Sequence, residues 1–180
     1  MEERTTDSVR AFEGKLISVR VDHVALTNGH VATREVVEHP GAVGILAWNG
    51  VRLAMVTQWR HATGQEMLEI PAGTLEPGEA PRTTAERELG EECGLAARSW
   101  EQGPSFFTAP GFCTERLTLF LATDLRETDA SGPDDELLEP SWLSLPDAVV
   151  AVDDGRVIDA KSVAGILWLA RRLASAEAPA

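Results

Sequence analysis

Cysteine is scarce: Cys93 and Cys113 are the only two in 180 residues, 20 positions apart. With no Cys-x-x-Cys, a disulfide framework and a structural zinc site are both excluded as organising devices, and reduced cytosolic thiols are expected. Positive charge is scarce as well. Sixteen Lys and Arg face 29 Asp and Glu, a formal charge of −13. That excess argues against nucleic-acid backbones or anionic membranes as main partners, because both would repel the chain. A locally cationic site, or one carrying metal ions, can still take phosphates. Long apolar runs are missing too: Val163 to Ala170 falls far short of the ~20 residues a membrane span needs and reads as a buried helix face. Met1-Glu2-Glu3-Arg4 has no apolar core, so no signal peptide is expected. What remains, at 43% hydrophobic, suits one folded, soluble, cytoplasmic domain with a small N-terminal appendage rather than a disordered acidic chain.

Residues 1 to about 13 are polar and expected to fray. Leu16 to Val24 largely alternates apolar with polar, runs into Asn28-Gly29, and resumes from Val31 to Val37. Asn-Gly between two such runs predicts a hairpin with a type I′ turn. Pro40-Gly41 then breaks the chain. Residues 1–40 thus read as an antiparallel β extension, too thin to bury its own core and expected to pack on residues 41–180 or on a second subunit. Ala42 to Trp48 reads as a strand buried on both faces, Asn49-Gly50 as a second turn, and Val51 to Trp59 as the return. The clearest helix is Pro81 to Cys93, with Pro at its first position and Gly94 past its end. Further strands are expected at Met67 to Ile70, Ser99 to Phe107 and Leu117 to Ala122. Asp124 to Glu139 holds seven carboxylates and one Arg, a mobile acidic loop. Ser144 and Asp159 are candidate caps of the last two helices. The fold class is α+β, a mixed sheet between helices.

Chemistry concentrates on the predicted helix. At about 100° per residue, Glu92 and Glu91 fall about 40° and −60° from Glu88, so three carboxylates crowd one arc beside the apolar Ala85, Leu89 and Cys93. Like charges at i and i+4 cost a few tenths of a kcal/mol in isolation. Such an arc is either a solvated acidic face or a cradle for a hard divalent cation, which prefers oxygen ligands.

Gly73, Glu79, Arg87, Glu88, Leu89, Glu91, Glu92, Gly94 and Leu95 fill every fixed position of Gly-x5-Glu-x7-Arg-Glu-U-x-Glu-Glu-x-Gly-U, where U is a bulky aliphatic. The segment therefore resembles the Nudix box. The resemblance implies the Nudix fold and a hydrolase that splits a nucleoside diphosphate linked to a further group. It further implies Mg²⁺, with Mn²⁺ as a substitute, held by Glu88, Glu91, Glu92 and the carbonyl of Ala72. Glu88 and Glu92 are then catalytic as well, and Gly73, Glu79 and Arg87 hold the box loop to its helix. A pyrophosphate is polyanionic, so metal ions reconcile an acidic protein with an acidic substrate.

The flanks Glu69-Ile70-Pro71-Ala72, Arg34-Glu35-Val36-Val37-Glu38-His39, Gln58-Trp59-Arg60-His61 and Ala109-Pro110-Gly111-Phe112-Cys113-Thr114-Glu115-Arg116 resemble the ADP-ribose pyrophosphatases. That resemblance implies hydrolysis of ADP-ribose to AMP and ribose 5-phosphate by a homodimer whose N-terminal sheets are exchanged. It assigns Arg60 to the pyrophosphate, Glu115 to the terminal ribose, Arg34 to the adenine end, and Pro110-Gly111 to a substrate loop. The bland alternatives are surface arginines, a surface Glu115–Arg116 pair and a simple turn. The general base is expected on the acidic loop at Glu136, with Asp134, Asp135 and Glu139 as alternatives or a box Glu in its place. The four His lack metal-ligand spacing and read as structural, and Trp59 is a candidate stacking surface. Two other readings stand beside this one. One is a different substrate, GDP-mannose or a dinucleoside polyphosphate; the other is a non-catalytic nucleotide-binding regulator.

Overall fold

Three antiparallel strands open the chain: β1 (Arg4–Glu13), β2 (Ser18–Ala25) and β3 (Val31–Glu38), in that sheet order. The computed structural model describes residues 2–130, 132 and 137–177. Backbone contacts divide it into two units, one running to Gly41 and including Phe106–Leu117, the other Ala42–Ser105 with Thr118 onwards.

In the first unit, residues 4–13 form a strand where fraying was expected. All ten are exposed, so hydrophobic burial does not hold them. Pairing with β2 satisfies the backbone, and polar side chains add cross-strand bonds: Ser8 Oγ donates to Asp22 Oδ1 at 2.6 Å, Thr6 Oγ1 to the His23 carbonyl at 3.0 Å, and Arg10 pairs with Glu38. A polar run reads as loop only while its partner strand is unknown.

The β2–β3 turn is also not the expected type I′. Gly29 has φ +87°, yet Asn28 is not among the residues with positive φ. The Gly29 N–H donates to the Leu26 carbonyl at 3.0 Å, and Leu26 N–H to His30 at 2.8 Å. This is a type I turn closed by a left-handed glycine, and the Asn28 side chain accepts the His30 N–H at 3.1 Å. Asn49 acts likewise, accepting from Val51 and Arg52 beside Gly50 at φ +95°.

The elements after β3 are β4 (Ala42–Ala47), β5 (Arg52–Arg60), β6 (Gln65–Glu69), β7 (Ala72–Thr74), α1 (Pro81–Cys93), β8 (Leu95–Phe107), β9 (Arg116–Glu127), β10 (Leu138–Ser144), α2 (Leu145–Asp153) and α3 (Ala160–Glu177), all in the second unit except the last two residues of β8 and the first two of β9. One sheet has the order β7-β4-β9-β8 and the other β10-β5-β6. Every residue of β4 is buried, and its alternation serves two helices. Val43, Ile45 and Ala47 cluster with Ala85 and Leu89 of α1 and with Phe120 and Ala122 of β9. From the opposite set, Leu46 joins Ile70 and Leu119 around Gly165 of α3, where a Cβ would lie 3.1–3.5 Å from their side chains. Each such large side chain contributes about 1.5–3 kcal/mol by leaving water. The sheet is thus covered on both faces, as an α+β sandwich requires.

Several elements run longer than expected. β8 starts at Leu95 and β9 continues to Glu127, so the acidic stretch begins inside a strand. The helix signals are present in the structure: Gly94 ends α1 at φ 62°, the Ser144 side chain accepts the Asp147 N–H at 3.2 Å, and Asp159 Oδ1 accepts the Ser162 N–H at 3.1 Å. Among the described residues no helix is long and apolar enough to cross a membrane.

Candidate active site

The site grows from the junction of β7 and α1. Pro81 starts the helix, and Thr84, Ala85, Glu88, Leu89, Gly90 and Glu92 make its buried face. Two carboxylates are therefore driven into the protein by the same amphipathic turn that buries Leu89: Glu88 is 8% exposed and Glu92 6%. Burying a charge without compensation is costly, and the surroundings supply it in two ways.

Arg87 is the first. Its Nη1 donates to Glu88 Oε1 at 2.8 Å and Glu91 Oε2 at 2.9 Å, while Nε and Nη2 reach the two oxygens of Glu79 at 3.2 Å each. Thr84 Oγ1 also donates to Glu79 at 2.9 Å, and Arg87 Nη2 approaches the Thr74 carbonyl at 3.5 Å. Glu79, pulled well below the usual carboxylate range chiefly by Arg87, thereby pins the loop that precedes α1. The second is the backbone: the Ala72 N–H donates to Glu92 Oε2 at 2.9 Å. It does not suffice. Burial, with the neighbouring Glu88 charge adding to it, pushes the Glu92 carboxyl up to about 8 against that bond and the more distant Arg60 and Lys161.

Gly73 sits against this pair. A Cβ there would stand 1.8 Å from Glu88 Oε1, inside any contact distance, so only glycine lets Glu88 occupy its place. The oxygen-only donor set and the undercompensated negative charge fit a hard divalent cation. Among the described residues, however, no three His, Cys, Asp or Glu side chains already converge on one point; Glu88 and Glu91 lie on Arg87 instead.

Arg60, at the end of β5, makes a bidentate pair with Glu69: Nε to Oε1 at 2.9 Å and Nη2 to Oε2 at 2.6 Å. Glu69 is 1% exposed and also receives Lys161 of α3, which in turn holds Asp159 Oδ1 at 2.8 Å. Burial opposes the Glu69 charge, but Arg60 and Lys161 outweigh it and hold the carboxyl below its ordinary value. Glu69 was legible only as a flank of the box, and Lys161 not at all. In the pairing of β5 with β6, Arg60 stands opposite Gln65 and Glu69 opposite Val56, so the two long side chains meet along the ladder and not as a direct cross-strand pair.

Arg34, Pro110, Gly111 and Glu115 belong to the first unit. Arg34 on β3 forms a bidentate, exposed pair with Glu3, at 2.6 and 3.0 Å. The loop with Pro110 and Gly111 is stitched to the end of β3: the Val37 N–H donates to the Phe112 carbonyl at 2.7 Å, and the Thr114 N–H to Val37 at 2.9 Å. Glu115 accepts from Thr108 Oγ1 at 2.5 Å, with His39 Nδ1 3.9 Å from its other oxygen. Glu136, Asp134 and Asp135 lie outside the described residues; Glu139 is an exposed residue of β10. Cys93 is an inert thiol, pushed up to about 12 by burial and the Glu92 charge.

Comparison with known proteins gives this geometry its setting. A family model described as the NUDIX domain matches residues 38–165. The chain is 40% identical to the ADP-ribose pyrophosphatase of Bacillus subtilis (strain 168), covering 94% of this chain and 93% of that one. It is likewise 40% identical to the methanol dehydrogenase activator of Bacillus methanolicus, covering 93% and 92%. A crystal structure described as an ADP compounds hydrolase superposes with a TM-score of 0.88 over 98% of this chain and 97% of that one, at 20% identity, a likeness of fold. A complete box folded as strand, pinned loop and carboxylate-lined helix, inside a matching family model, places this chain in the Nudix hydrolase family.

Proposed function

We propose that this chain is an ADP-ribose pyrophosphatase, hydrolysing ADP-ribose to AMP and ribose 5-phosphate with Mg²⁺, or Mn²⁺ as substitute. The observation that carries the reading is its likeness, along almost the whole of both chains, to a protein bearing that name, joined to an intact box. Glu88, Glu91, Glu92 and the Ala72 carbonyl would hold the metal. Bound there, a divalent cation neutralises phosphoryl charge and lowers the pKa of the attacking water. Arg87 stores the ligand carboxylates in an ordered place until the cation arrives. Arg60 orients the pyrophosphate, Glu115 the terminal ribose, Pro110 and Gly111 shape the substrate loop, and Arg34 serves the adenine end. Glu136 is the proposed general base.

We further propose a cytoplasmic homodimer formed through the N-terminal strands. Val9, Phe12 and Val31 stay more than half exposed there, the kind of apolar surface that a second subunit covers. A monomeric mass by light scattering at micromolar concentration would end that part.

Incubation with ADP-ribose and Mg²⁺, with and without chelator, tests the function. Metal-dependent AMP and ribose 5-phosphate are expected. Inertness toward ADP-ribose with cleavage of GDP-mannose or a dinucleoside polyphosphate would overturn the substrate and keep the chemistry; inertness toward all of them would favour a binding regulator. The equal likeness to a methanol dehydrogenase activator favours one second reading, action on a dehydrogenase, read by adding the chain to a purified alcohol dehydrogenase.

A further inference from the structure

The start of α3 carries a set of polar side chains that the box does not need, and all of them point back to the strand that leads into it. Asp159 Oδ1 accepts both the Ser162 N–H at 3.1 Å and Lys161 Nζ at 2.8 Å. Ser162 is fully buried, and its Oγ accepts the Ile70 N–H at 2.8 Å. Lys161 Nζ, itself largely buried, goes on to Glu69 Oε2, the oxygen that Arg60 Nη2 also uses. One segment, Asp159-Ala160-Lys161-Ser162, thus grips two consecutive residues, Glu69 at the end of β6 by charge and Ile70 just beyond it by backbone.

A carboxylate turns easily about its last torsion. Arg60, half-exposed at the end of its strand, has Glu69 as its side-chain partner, and so takes its orientation from that group. Lys161 removes the freedom: it fixes Oε2 from the helix side while Arg60 spans both oxygens from the other. Lys161 is in turn fixed by Asp159, whose position is set by capping the helix. The sequence of constraints runs from helix terminus to Asp159, Lys161, Glu69 and finally the guanidinium. The bidentate pair uses Nε and Nη2 of Arg60, and among the described residues Nη1 makes no hydrogen bond. A planar guanidinium held by one edge presents a defined donor to a phosphate oxygen.

We propose that Lys161 is a positioning residue for pyrophosphate recognition, acting through Glu69 to hold the Arg60 guanidinium. The inference rests on the reading of Arg60 as a phosphate contact. A double-mutant cycle tests it, since residues acting through one another are non-additive. Lys161→Met is expected to lower kcat/KM for ADP-ribose about tenfold, mostly through KM, in the wild-type background, and by less than about twofold beside Arg60→Ala. Lys161→Arg, which can still reach Glu69, should recover most of the loss. Equal losses in both backgrounds, or no loss at all, would overturn the proposal. Lys161→Gln is carried in parallel, so that a folding failure of the methionine variant leaves the cycle complete. The same cycle on the affinity for Mg²⁺-pyrophosphate, measured by calorimetry, separates the two readings. If ADP-ribose is not turned over, the substrate reading fails while pyrophosphate affinity still decides the role of Lys161. If Arg60→Ala leaves that affinity unchanged, both fall together.

Discussion

Two charged regions of this protein are built on opposite terms. In α1 two carboxylates are buried, Glu88 and Glu92: Glu88 divides the Arg87 guanidinium with Glu91 and Glu79, and among the described residues Glu92 accepts one hydrogen bond, from the Ala72 N–H. In the N-terminal sheet most charges lie nearer the surface: Arg34–Glu3 is an exposed pair, Arg10 and Arg20 share Glu38, and Arg20 also reaches the buried Asp22; water and salt screen what the exposed pairs contribute. The first arrangement leaves Glu92 short of positive charge, which a bound cation would supply. The second is already satisfied and can exchange partners at little cost. Substitutions should therefore act on chemistry in the box, and on substrate affinity alone in the sheet.

The largest break in that contrast is expected from Glu92→Gln. The amide keeps the shape and removes the capacity to ionise from the carboxyl that burial already pushes up to about 8. If Glu92 is a metal ligand, as proposed, its loss removes several kcal/mol of transition-state stabilisation, and kcat should fall about a hundredfold or more. Folding should survive, because a neutral side chain suits that buried position better than the carboxylate. Steady-state rates beside circular dichroism decide it; wild-type rates would remove Glu92 from the metal site.

Gly73→Ala should come next. Its Cβ has no room beside Glu88, so Glu88 must leave its place or β7 must shift. Overpacking of this kind costs about 1–3 kcal/mol, and if Glu88 is a metal ligand, as proposed, its displacement should lower kcat about tenfold at limiting metal, with partial recovery as Mg²⁺ is raised. A metal titration of the variant reads this. An unchanged activation curve would mean that Gly73 is free of any role in placing the ligand.

The same contrast explains what could be read in advance. Glu88, Glu91, Glu92, Arg87 and Glu79 were legible because the spacing of one helix and its leading loop brings them together; all of them lie within 14 residues. The covered strand β4 and the boundaries of α1 were legible for a similar reason, each being set by local pattern and punctuation. The Glu69–Lys161 contact was not, since a pairing across 92 positions depends on how α3 docks on the sheet. β1 was missed because its stability lies in pairing with β2 and not in its own composition. Both Asn-Gly turns were placed correctly, and the first was mistyped as I′: the asparagine side chains accept backbone N–H groups and stay out of the left-handed region, leaving it to the glycines.

The smallest effect is expected where the sheet's charges trade partners. Arg34→Ala removes one exposed pair with Glu3, and solvent takes up the freed carboxylate, so the melting temperature should hold. If Arg34 serves the adenine end of the substrate, KM for ADP-ribose should rise severalfold, about threefold to tenfold, with kcat kept, as expected for a contact made equally in ground and transition states. Glu3→Gln sharpens the test. It frees the guanidinium without removing it, so KM should stay level or fall, opposite in sign to Arg34→Ala. Equal and parallel losses in the two variants would show instead that the ion pair itself matters, holding β1 in place, and that the sheet's charges are as structural as those of the box.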